Sequence, residues 1–73
     1  MNRTMTRVVN RNDLIGLYIG QTSIKTQQVC DDTKGGVLII EESQSILEND
    51  NTFDKECAET LKRNENNLTI IYR

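Results

Sequence analysis

The sequence predicts an α/β chain built on a small parallel sheet, in the order strand, helix, strand, helix, strand. Three observations carry this. Val37, Leu38, Ile39 and Ile40 form an unbroken apolar run between Gly35-Gly36 and Glu41-Glu42, the pattern of a short strand buried on both faces. Phe53, Cys57, Ala58 and Leu61 recur at i, i+4, i+5 and i+8, which makes one apolar face of a helix. Two further short apolar segments, at residues 5–9 and 68–72, stand on the outer sides of two helix-length stretches, and strands that alternate with helices pair in parallel.

The elements follow in order. Residues 5–9, with Met5, Val8 and Val9, read as the first strand. Residues 10–21 read as a loop punctuated by Gly16 and Gly20, since proline is absent and glycine must do the breaking. Thr22 is placed as the N-cap of a helix that runs to about residue 33, with a thin apolar stripe of Ile24, Val29 and Cys30. Gly35-Gly36 stops it and the central strand follows. Residues 41–51 are a polar connection. The second helix can be capped by Asn51 or Thr52 and is broken at residues 64–67. Residues 68–72 form the last strand, centred on Ile70 and Ile71.

Composition narrows the function classes. Seventy-three residues with a net charge of −2 make one small domain at most, near the lower limit of a self-sufficient core. Cys30 and Cys57 fit no zinc or redox spacing and read as buried thiols. No apolar run approaches the roughly 18 residues that span a bilayer, and residues 1–11 carry no signal-peptide core. No membrane partner and a cytoplasmic location are therefore expected, and the sequons at Asn2 and Asn67 carry no weight. Arg3, Arg7 and Arg11 are four apart, yet the segment reads as the approach to a strand, and no dense basic patch suggests nucleic acid. Without histidine, triads of the usual serine or cysteine type are excluded.

The segment with chemical content is residues 36–42. Four apolar residues followed at once by two carboxylates make the Walker-B pattern. A buried parallel strand delivers its carboxyl end to the crevice where ligands bind in open α/β sheets. Glu41 there could help hold a magnesium ion, usually through water, and Glu42 could polarise the water that attacks a γ-phosphate. The plainer reading is a solvated strand end. If both acids stayed on the strand they would face opposite ways, which argues against a glycosidase-like pair.

The stretch from Asp13 through Gly16, Tyr18-Ile19-Gly20, Thr22, Lys25-Thr26 and Gly35-Gly36-Val37-Leu38 to Ile40 and Glu42 resembles the AAA+ family of red-type rubisco activases, sporulation stage V protein K and the ATPases of type VII secretion. The likeness continues through Ser45-Ile46, Phe53, Glu56, Thr60-Leu61 and Glu65. It implies a three-layer P-loop NTPase-like fold, of which residues 1–73 would supply strands 2, 3 and 4 of the AAA+ core. It also implies that residues 10–21 hold the pore loop, with Tyr18, Ile19 and Gly20 gripping a substrate polypeptide in a hexameric channel, although a core role for Tyr18 is the alternative. Glu41 falls at the metal-binding Walker-B position and Glu42 at the catalytic glutamate. Lys25 matches a lysine of the helix after the pore loop and is as readily a solvated helix lysine. ATP and magnesium are the cofactors of the parent family, and the partners implied are other AAA+ subunits, a second copy of this chain and a polypeptide.

The sequence departs from that pattern in three ways. No Gly-x-x-x-x-Gly-Lys-Ser/Thr occurs, so the triphosphate has no cradle. A glutamate, Glu41, replaces the Walker-B aspartate, and its extra methylene shifts the carboxylate against magnesium's strict octahedron. The connection before the last strand is short, and Arg73 is not promoted to an arginine finger on position alone. The chain is thus expected to bind and hydrolyse no ATP alone. Two functions remain: a fragment of a polypeptide-remodelling ATPase, or a non-catalytic module that docks with AAA+ subunits or complements a chain carrying the phosphate loop. Strands 2, 3 and 4 are neighbours, so right-handed crossovers place both helices on one face, and the other face is expected to be bare and to favour self-association.

Overall fold

The computed structural model describes residues 5–48 and 51–73; Arg3 and the sequon at Asn2 lie outside them. At the centre is β2, Val37–Ile40. Its neighbours are β1, Thr6–Val9, and β3, Thr69–Tyr72, both parallel to it, in the order β1-β2-β3. Arg7 pairs with Leu38 and Leu38 with Ile70, while Val9, Ile40 and Tyr72 are aligned two residues further on. The expected three-stranded parallel α/β sheet, of P-loop NTPase-like topology, is present. Gly36 makes the close approach possible: a Cβ there would run into the Met5 carbonyl, whose oxygen accepts the Val37 N–H at 2.7 Å.

The helices are α1, Arg11–Leu14, α2, Gln21–Asp32, α3, Gln44–Glu48, and α4, Thr52–Arg63. The long helices α2 and α4 pack on each other and on one face of the sheet. Val29 and Cys30 of α2 and Cys57 and Leu61 of α4 share a single core with Val9, Leu38 and Ile40. Leu14 of α1, Ile46 of α3 and Leu68 complete it. On the opposite face Val8 is 56% and Ile71 42% exposed, and Ile39 between them is half-buried. The described residues thus form a sheet layer and one helix layer. Among the described residues β2 is sealed on one face only, because no helix of theirs lies over the residues that alternate with Leu38 and Ile40.

Several local expectations change. The connection from residue 10 to 21 contains α1, which Asn10 starts with a full capping box: its side chain accepts the Asn12 N–H, and Asp13 accepts the Asn10 N–H. The polar stretch after β2 contains α3. The N-cap of α2 is Gly20, at φ +94°, and not Thr22. Ile24 is 69% exposed, and the inward face of α2 is made instead by Thr22, Thr26, Val29, Cys30 and Thr33. Those threonines are buried because their hydroxyls are satisfied. Thr26 Oγ1 donates to the Leu14 carbonyl at 3.0 Å, Thr33 Oγ1 to the Val29 carbonyl at 2.8 Å, and Thr22 Oγ1 accepts the Gly16 N–H at 2.9 Å. The second helix is as expected, with Asn51 as its N-cap accepting the Asp54 N–H at 2.8 Å and Asn64 as its C-cap. At its far end Asn64 and Gln27 exchange two amide hydrogen bonds, of 2.9 and 3.0 Å, which fix α4 against α2.

Candidate functional site

Two features stand at the carboxyl edge of the sheet, where ligand crevices form in parallel α/β folds. The first is the acidic turn after β2. Ile40 ends the strand, and the Glu41 N–H still donates to the Val9 carbonyl at 2.8 Å. Glu42 then takes φ +54°, a left-handed conformation uncommon for a residue with a side chain. That reversal sends the chain into α3, where the Glu42 carbonyl accepts from Ser45 Oγ at 2.9 Å. The buried Ser43 closes the turn onto β3: its N–H and its hydroxyl both donate to the Arg73 carbonyl at 2.9 Å.

Neither acid remains on the strand, so the two do not straddle the sheet. Glu41 Oε1 accepts from Arg73 Nη1 at 3.1 Å; the arginine side chain is exposed and that of Glu41 half-buried. Glu42 is exposed and borders an open depression of about 560 Å³ with Gln44, Ser45, Glu48 and Arg73. Magnesium demands six oxygens in near-octahedral array. The turn offers two carboxylates, one already engaged by a guanidinium, and among the described residues no three carboxylate or thiol groups gather around one point. These residues do not by themselves fit a magnesium–triphosphate group.

The second feature is the loop between α1 and α2. Leu17, Tyr18 and Ile19 are 85%, 67% and 71% exposed, which rules out a core role for Tyr18. Three consecutive apolar side chains held in water is unusual for a connection with no partner. Both feet of the loop are anchored. At the first, Gly16 donates to Thr22, and a Cβ on Gly16 would lie 2.7 Å from that of Gln21, so only glycine lets the chain fold back so tightly. Lys25 Nζ donates to the carbonyls of Asn12 and Ile15 at 2.9 and 3.2 Å. The lysine noted in the sequence is thus a clamp on the loop's entry.

At the second foot the left-handed Gly20 opens α2, and its N–H and that of Ser23 donate to Glu56 of α4, at 3.3 and 2.8 Å. Hydrogen bonding from the Ser23 backbone lowers the Glu56 carboxyl from its ordinary value; burial opposes this, and the bond from Gly20 adds a smaller lowering. Asp54, two residues earlier on the same helix, is fully buried and receives Arg11 of α1 in a two-point ion pair. Sequence reasoning missed both α4 carboxylates, Glu56 as an anchor of this loop and Asp54 as the partner of α1; their positions on the helix carry no local signal of a partner more than thirty residues away.

No family model and no solved structure matches the chain. Known proteins do. A CfxQ homologue of Pyropia yezoensis is 39% identical over 70 residues, which is 88% of this chain and 23% of that protein. The chloroplastic ribulose bisphosphate carboxylase/oxygenase activase of Cyanidioschyzon merolae is 40% identical over 70 residues, 88% of this chain and 24% of that protein. The CbbX protein of Cereibacter sphaeroides is 39% identical over 69 residues, 86% of this chain and 22% of that protein. The chain therefore spans a little under a quarter of the length of the relatives it matches, and over that segment it is homologous to AAA+ proteins of the CbbX, CfxQ and rubisco activase type.

Proposed function

We propose that this chain, a homologue of one segment of the CbbX-type AAA+ proteins, is a piece of a polypeptide-remodelling ATPase core that presents the substrate-gripping loop and the acidic strand end and does not turn over ATP alone. The observation that carries it is the Leu17-Tyr18-Ile19 loop: an aromatic flanked by aliphatics, exposed in water, with both feet held by charged side chains. Tyrosine supplies large contact area at small entropic cost, and the glycines at the feet let the loop swing. Such a loop is suited to hold an extended polypeptide by shape and apolar contact.

In this reading Glu41 and Glu42 stand on the metal side and the catalytic side of a nucleotide cleft whose phosphate-binding groups come from other segments. ATP and magnesium, other AAA+ subunits or a second copy, and a polypeptide are the ligands it assigns. The alternative, a non-catalytic module that docks with AAA+ subunits, is favoured by one observation: Arg73 occupies the Glu41 carboxylate.

The test is a chimera in which this chain replaces the matching segment of the Cereibacter sphaeroides CbbX protein. ATP hydrolysis that survives the graft, falls at least about a hundredfold on Glu42→Gln and keeps its basal rate but loses polypeptide stimulation on Tyr18→Ala is the expected result. A graft that assembles but hydrolyses ATP equally with Glu42→Gln would overturn the catalytic assignment. For the chain alone, a titration with fluorescent ATP and magnesium is expected to show no saturable binding.

A further inference from the structure

We infer that Glu56 is a positioning residue for the exposed 17–19 loop: from α4, it sets where that loop rejoins α2. The first N–H groups of a helix have no partner within it, and the usual remedy is a side chain at the N-cap itself. Here the N-cap is glycine and supplies none. The Ser23 N–H and the Gly20 N–H go instead to the two oxygens of Glu56, which is 33 and 36 residues away in the chain.

The two feet of the loop are consequently held differently. Gly16 and Ile15 are held by Thr22 and Lys25, both on α2. Gly20, the N-cap of α2, is held by α2 itself, whose Ser23 Oγ donates to the Gly20 carbonyl at 3.1 Å, and in addition by α4 through Glu56. A shift of α4 along α2 would strain the Glu56 contact to the second foot and leave the contacts of the first untouched. α4 is also the helix that the acidic turn reaches through α3, against which it packs. The functional meaning of this coupling rests on the reading of the loop given above; the positioning itself does not.

The inference is tested on the full chain with Glu56→Ala and Glu56→Gln, and with Tyr18→Trp as a probe, since the chain has no other tryptophan. Amide exchange at Gly20 and Ser23 is expected to quicken about tenfold or more in Glu56→Ala, as loss of a hydrogen bond to a charged group requires, while Leu38, Ile40 and Leu61 stay protected. Glu56→Gln, with one acceptor oxygen left, is expected to keep Ser23 protected and to release Gly20. Indole anisotropy at position 18 should fall in Glu56→Ala and stay low in Glu56→Gln, since both release Gly20. Unchanged exchange at Gly20 and Ser23, or a proportional rise at Leu38 and Ile40, would overturn the inference. So would quickened exchange with unaltered anisotropy, because Glu56 would then be a helix cap and no more. None of these readouts uses nucleotide or polypeptide, so the reading of the loop as a polypeptide grip is decided separately by the Tyr18→Ala chimera.

Discussion

The Arg11 guanidinium grips the Asp54 carboxylate at two points, Nε to Oδ1 at 2.9 Å and Nη2 to Oδ2 at 3.2 Å, across 43 positions of sequence. Asp54 is completely buried while the Arg11 side chain is 37% exposed. The pair ties α1 to the first turn of α4, where a carboxylate is also favoured by the helix dipole. Removing one partner of a fully buried pair costs about 3–5 kcal/mol, and partial exposure reduces this. Arg11→Ala is expected to destabilise the chain by about 2 kcal/mol, seen as a thermal midpoint lower by roughly 8–16 °C. Arg11→Lys should recover only part, since an ammonium does not span both oxygens. A midpoint shift within about 2 °C in Arg11→Ala would show that the pair contributes little.

Gly36 offers a test of the sheet register. Its N–H donates to the Thr33 carbonyl at 2.8 Å and its own carbonyl accepts the Thr69 N–H at 2.9 Å, so it joins the α2 turn to β3. On its other side the Met5 backbone fills the space a methyl group would need. Backbone cannot move aside as a side-chain tip can. Gly36→Ala is expected to push β1 away and to cost about 2–3 kcal/mol or more by overpacking, measured by urea denaturation. Gly35→Ala is the contrast: open space surrounds it, but φ is +81°, so its cost is limited to backbone strain of about 1 kcal/mol.

What was legible in the sequence follows from which interactions are local. β2 announced itself because a short apolar run between a glycine pair and an acid pair admits few alternatives, and α4 because Phe53, Cys57, Ala58 and Leu61 repeat with the helical period. α1 and α3, at four and five residues, are too short to show a period. α2 was placed correctly but its inward face was not, since the threonines that form it look polar until their hydroxyl partners are known. Gly20 displaced Thr22 as N-cap because the helix start is stabilised from α4, which no local pattern reveals. At the site, the glycines around Tyr18 were enough to suggest an exposed loop. The contacts Arg73–Glu41 and Glu56–Ser23 needed the packing of distant elements.

The two thiols make a pH prediction. Cys30 and Cys57 are 1% and 0% exposed. Burial pushes the Cys30 thiol up to about 11 and raises Cys57 as well, against a hydrogen bond from Thr26 that lowers it. A thiol raised in the folded state contributes stability that is complete below the unfolded value of about 8.5. That contribution is lost as pH rises from there through about 11. Stability is therefore expected to decline between about pH 9 and 11, with Tyr72, also raised mainly by burial, adding in the same direction. Cys30→Ala should flatten part of this slope. At pH 8 roughly one Cys30 in a thousand is a thiolate, so labelling by a disulfide reagent should proceed only as fast as the chain opens. Rapid labelling of both thiols in native buffer would contradict this.

The uncovered side of the sheet leads to the last prediction. In the parallel register Val8, Ile39 and Ile71 lie side by side across the three strands, and the first and last are among the exposed large apolar residues. Parallel sheets are found covered on both faces, and at about 25 cal/mol per Å² each side chain left in water forgoes on the order of 1–2 kcal/mol. For a chain of this size that is a substantial part of its stability. Two such faces can cover one another, so sedimentation velocity is expected to show association that grows with concentration and persists at high salt, as apolar contact does. The double variant Val8→Lys with Ile71→Lys should sediment as a monomer, because two rows of ammonium groups repel and cannot be buried unpaired. It should melt at a similar or lower temperature, since the charges remove the partner without adding any packing. A wild-type chain that stays monomeric at high concentration and still shows a sharp, high-temperature transition would mean that the bare face costs less than its area implies.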